Sequence, residues 1–162
     1  MPGHSRAIPP SLDAWRFLAR ARQYRDQAML LVDMVGPEPN WPKHLLLTHA
    51  IELAINAYFV FEKGLHGRRT GVRHNNPNSH DLMELYKEAI NRGLQKNDFV
   101  LRELPFLSEL HKVHYARYPQ IETKPVPAYV SQYDDMVEAL FTDVAAAIGD
   151  PSRGSARSPS SA

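Results

Sequence analysis

The 162-residue sequence predicts an all-α protein, an antiparallel bundle of about five helices. Three observations carry this reading. Apolar residues recur at helical spacing in separate segments, as in Leu82, Leu85, Ala89 and Ile90, or Tyr133, Val137, Leu140, Val144 and Ile148. One segment, KHLLLTHAIELAINAYFVFEKG from Lys43, is apolar on nearly every side, which a helix tolerates only when buried centrally. No segment reads as a convincing strand.

Each element follows from local signals. Ser11 is a good N-cap for a first helix, with Asp13 in its first turn. Trp15, Leu18, Ala21, Ala28, Val32 and Val35 form its apolar stripe, and Arg16, Arg20, Arg22 and Arg25 lie mostly off it. Gly36-Pro37 stops it, and Pro39 and Pro42 keep the connection extended. A second helix runs from about Lys43 to Lys63 and ends at Gly64. After a long loop, Ser79 caps a third helix supported by Asp81, and Gly93 ends it. Asp98 caps a fourth, which runs to Tyr118 and is kinked or split by Pro105. Pro119, Pro125 and Pro127 mark a rigid connection to a fifth, Ala128 to Ile148. Residues 1–10 are expected to be loose, 11–149 to form the bundle, and the polar DPSRGSARSPSSA at 150–162 to be a disordered tail.

Composition narrows the function. Hydrophobic residues make up 43% and charged residues 23%, ordinary for a globular domain. Net charge is +1, so any contact with nucleic acid must come from a local patch. Cysteine is absent, which removes disulfides, thiolate metal sites and thiol nucleophiles together. The N-terminus lacks an apolar signal region, and the densest apolar run, Ala54 to Phe61, is far short of a membrane span. These features predict a cytoplasmic protein without a membrane partner. The excess apolar surface of the second helix predicts a homodimer.

The polar residues inside the apolar helix stand out. His49, Glu52 and Asn56 fall at i, i+3 and i+7 and share one face. Two readings stay open: a ligand-binding stripe in a cleft, or a hydrogen-bonded network tying helices together. The loop GLHGRRTGVRHNNPN brings Arg68, Arg69 and Arg73 together just before His80 and the start of the third helix. Arginine suits bidentate phosphate contact, and a helix N-terminus favours an anion. His80 there either packs over the helix start or contacts phosphate. His111 and His114 stand at i, i+3 and, with His49 and Glu52, raise an N/O metal site. A di-iron bundle site would need two Glu-x-x-His motifs, and none occurs, so no metal or cofactor is expected.

Three segments resemble the HEPN (higher eukaryotes and prokaryotes nucleotide-binding) family. HAIELAINAYF is similar to its second-helix pattern, SHDLMELYKEAINRG to the His-Asp-Leu helix that follows, and HYARYPQ to an Arg-Tyr-Pro segment in one branch. The resemblance implies a compact helical bundle, usually dimeric. It also implies an RNA- or nucleotide-binding role, with links to toxin-antitoxin or defence modules. Many members are metal-independent endoribonucleases, and others are non-catalytic partners of small nucleotidyltransferases. Catalytic members carry an Arg followed within a few residues by a His on the fourth helix. Here Arg117 has no His after it, so the resemblance implies weak or absent catalysis. Were the chain a ribonuclease, His111, His114 and Arg117 would be its best-placed residues, with Arg73 and His80 second. Where many relatives carry a lysine, this chain has Asn56.

Overall fold

The computed structural model describes residues 10–66, 81–112 and 132–149. It is an all-α bundle of five helices with one small hairpin: α1 (Pro10–Met29), β1 (Met34–Val35), β2 (Glu38–Pro39), α2 (Trp41–His66), α3 (Leu82–Asn91), α4 (Asp98–Lys112) and α5 (Gln132–Ile148). The central helix is α2, which packs against each of the other four. Its Leu47, Ala50, Ile51, Ala54, Ile55 and Ala57 are fully buried.

The first two helices form the most extensive helix–helix contact of the bundle. Ala14, Ala21 and Ala28 recur every seventh residue on α1, and they and Ala50, Ala54 and Ala57 of α2 are fully buried. Arg25 falls on the same stripe and is the exception to its apolar character. It pairs with Glu138 of α5 at 2.8 Å and lies over the Phe141 ring at 5.1 Å, so the stem covers core while the charge stays satisfied.

Several boundaries differ from the sequence reading. The first helix begins at Pro10, leaving Ser11 inside its first turn rather than at its cap. It ends at Met29, and Val32 and Val35 are exposed rather than part of a buried stripe. The Gly36-Pro37 pair does not merely stop the chain. With Gly36 at φ 61° it turns a two-residue hairpin, Met34 opposite Pro39 and Val35 opposite Glu38. Gly64 does not end α2, which continues to His66. Asp81, not only a supporting residue, caps α3 by accepting from the Glu84 amide at 3.2 Å. Asn97 caps α4, its Oδ1 accepting from the Phe99 and Val100 amides. Across Pro105 the helix α4 is continuous. Residues 1–9, 67–80, 113–131 and 150–162, and with them the expectations for Ser79, Tyr118, Ala128 and both termini, lie outside the described residues.

The window Trp41–Lys63 of α2 is long and apolar enough to cross a membrane by length and composition, which the sequence reading did not anticipate. More than half of that window is buried inside the bundle, as in the core helix of a globular fold. The bundle also covers α2 better than expected. Among the described residues the exposed large apolar side chains are Leu12, Phe17, Leu30, Val32, Met34, Val35 and Phe106, none of them on α2.

Where α2 begins, a polar cluster fastens the hairpin. Asn40 caps the helix, its Oδ1 accepting from the Lys43 amide and its own amide donating to the Asp33 carbonyl. The Lys43 ammonium, only 4% exposed, pairs with the Asp33 carboxylate. Beside it His44 is buried against Trp41, and burial first, then the Lys43 charge, lowers its pKa to about 4, with Asp33 opposing. In the unfolded chain the same ring titrates near its ordinary 6.5. The unfolded state therefore takes up the proton first as pH falls. Stability should be full above about pH 6.5 and decline progressively toward pH 4, by about 3 kcal/mol in total. Thermal melts at pH 7 and pH 4.5 should show that loss, and His44→Gln should flatten it. An equal acid sensitivity in His44→Gln would assign the effect to other groups.

Candidate functional site

The polar stripe of α2 meets α4 and α1 at one place. His49 and Glu52 share a face because they are three residues apart, and His49 Nδ1 lies 3.9 Å from Glu52 Oε2. From α4, His111 Nε2 approaches the same Glu52 oxygen to 3.0 Å. Tyr24 of α1 closes the other side, its ring 4.7 Å from His49 in an edge-on arrangement. Two imidazoles thus share one carboxylate across a three-helix junction.

The two histidines differ in access. His111 is 5% exposed and held against Glu52, whereas the His49 side chain is 36% exposed. Glu52 keeps 15% exposure, enough that one edge of the cluster meets solvent. A carboxylate bonded to an imidazole orients the ring, the arrangement of a base and its orienting group. It is equally a way to satisfy polar groups at a buried helix crossing. Asn56, one turn further, has its Oδ1 buried with no hydrogen bond reaching it from the described residues.

The start of α3 is fastened next to this cluster. Ser108 of α4 donates to Asp81 Oδ1 at 3.1 Å and accepts from the Met83 amide at 3.1 Å. Ser108 stands three residues before His111, so the α3 N-terminus and the Glu52–His111 pair lie on adjoining turns of α4. Of the residues the sequence singled out, the structure brings His49, Glu52 and His111 together. Arg68, Arg69, Arg73, His80, His114 and Arg117 lie outside the described residues. No group of three or more His, Asp or Glu side chains is arranged for a metal ion among the described residues.

A second polar cluster escaped the sequence reading. Arg92, just past the end of α3, reaches Glu88 at 2.8 Å and the buried Glu62 of α2 at 3.6 Å. It also lies 5.0 Å over the Phe59 ring, and its carbonyl accepts from the Tyr58 hydroxyl at 2.9 Å. Burial first, then the Glu62 charge, pushes the Tyr58 phenol up, against the pull of Arg92. Gly93 turns the chain at φ 113°, where a Cβ would sit 3.1 Å from the Tyr58 oxygen. The cluster clamps α3 to α2 and is structural. The advance signal was Glu62 on a mostly apolar helix, a carboxylate in need of a cation.

Comparison of the chain with protein-family models, with curated proteins and with solved structures returns no match.

Proposed function

We propose that the chain is a HEPN-like, cytoplasmic helical protein that binds RNA or a nucleotide and has little catalysis of its own. The observation that carries this reading is the polar junction of Glu52, His49 and His111 next to the start of α3. The segment bearing Arg68, Arg69, Arg73 and His80 enters α3 at Asp81, which Ser108 ties to α4 one turn from His111. Arginine suits bidentate contact with phosphate, and the N-terminus of α3, which that segment leads into, favours an anion. The burial of His111 supports weak catalysis, because an acid or base needs to reach the reacting proton.

The alternative reading is a metal-independent endoribonuclease, in which a His activates the 2′-hydroxyl and an Arg holds the developing phosphate charge. The Glu52–His111 bond is the observation in its favour. Incubation of single-stranded RNA with the purified protein and a chelator separates the two. The expected result is no cleavage above background. Cleavage that disappears in His111→Ala or Arg117→Ala would establish the ribonuclease instead.

The same reading includes a homodimer. Leu30, Val32, Met34 and Val35 expose apolar side chains at and just before the hairpin, a surface for a second copy. Sedimentation at micromolar concentration should give twice the 18.4 kDa chain mass. A clean monomer would remove the dimer from the proposal.

A further inference from the structure

We propose that the groove between α1 and α2 binds a free medium-chain aliphatic carboxylate. The groove has a volume of about 370 Å³ and is lined by Asp13, Arg16, Phe17, Arg20, Leu53 and Val60. That volume lies in the range of small-molecule sites. Its lining divides into an apolar part and a charged rim, and the two are arranged along one axis.

The two helices run antiparallel here, joined by a short hairpin, and Tyr24 touching His49 sets their register. One turn back along α1 from Tyr24 is Arg20, and one turn forward along α2 from His49 is Leu53. Two turns further, Asp13 comes opposite Val60. From Asp13 to Arg20, and from Leu53 to Val60, the groove follows about 10 Å of each helix at 1.5 Å per residue. It is therefore elongated along the helix axes, with the aliphatic Leu53 and Val60 on one wall. Phe17, 38% exposed, stands on the other wall midway. Leu53, Phe17 and Val60, spaced along its length, offer an extended acyl chain apolar contact.

Charge fixes the orientation. Arg16 and Arg20 are four residues apart and project from one face, so both can close on one carboxylate. Arg16 shares its charge with Asp13 at 3.7 Å, both side chains about half exposed. Arg20 has no ion pair among the described residues. The groove thus carries a net positive charge at its Arg20 end and a carboxylate at the other. An anionic head belongs beside Arg20, with the tail running past Phe17 toward Val60. The reverse orientation would set the head against Asp13. A cationic amphiphile is disfavoured by the arginine pair, and a neutral alcohol gains only the apolar wall. This site does not depend on the RNA-binding reading.

The test is calorimetric titration of the full chain with decanoate, decanol and decylammonium, each as monomers. Decanoate should bind saturably at one site per chain and weaken as salt rises. Decanol and decylammonium should bind about tenfold more weakly, the expected worth of a charge-assisted contact. Arg16→Ala combined with Arg20→Ala should weaken decanoate by about tenfold and leave decanol nearly unchanged. Phe17→Ser should weaken both. The two arginines are exposed, so their removal leaves the core intact. Equal binding of decanoate and decanol would overturn the proposal, as would decanoate binding indifferent to the arginine pair. Loss of decanoate binding in Val32→Ser with Met34→Ser would move the site to the hairpin. Binding of an acidic amphipathic peptide with no binding of decanoate would make the groove a protein-docking surface.

Discussion

Arg92→Ala should lower stability by about 3 kcal/mol, the typical cost of breaking a buried ion pair from one side. The Glu62 side chain is 4% exposed, and in the variant its charge would stay in the core without its cation. Two further contacts go with it: the bond to Glu88 and the stacking over Phe59. Against a total stability of roughly 5–15 kcal/mol the loss is large, and the thermal midpoint should drop by about ten degrees. Lys87→Ala is the contrast. Its pairing with Glu84 joins two side chains each 56% exposed on one helix, so it should cost much less. The double variant Arg92→Ala with Glu62→Leu should recover much of the loss, since an apolar side chain needs no partner there. Equal melting of Arg92→Ala and the parent would mean that the clamp contributes little.

The bundle was legible because helical periodicity is a local signal. Tyr133, Val137, Leu140, Val144 and Ile148 are all buried, as their spacing predicts, and the all-round apolar character of α2 correctly marked the central helix. The ends of elements were less legible. Val32 and Val35 continued the α1 stripe in register, yet Gly36-Pro37 also encodes a tight hairpin, and the hairpin prevailed. Asn97 and Asp98 are both good caps, and only geometry distinguishes them. Gly64 carried a stop signal, but α2 runs past it.

The candidate site divides in the same way. His49 and Glu52 were readable as neighbours because their spacing is helical. Their meeting with His111, 59 residues from Glu52, depends on how α4 packs on α2. Arg92 with Glu62 and Lys43 with Asp33 are also products of packing, and both involve charges that a sequence reading assigns to solvent.

Binding of single-stranded RNA to Arg68, Arg69 and Arg73 is the central functional claim, and salt-dependent fluorescence anisotropy tests it most directly. Parent protein and a variant with all three arginines replaced by alanine are titrated across a series of salt concentrations. On this account each arginine would contribute a charge-assisted phosphate contact, so the variant should bind on the order of a thousandfold more weakly. The slope of log affinity against log salt should shrink by about 2 in magnitude, since three contacts release about 0.7 counterion each from a single strand. The account predicts both changes together. An RNA affinity and a salt slope left unchanged by the triple substitution would contradict it.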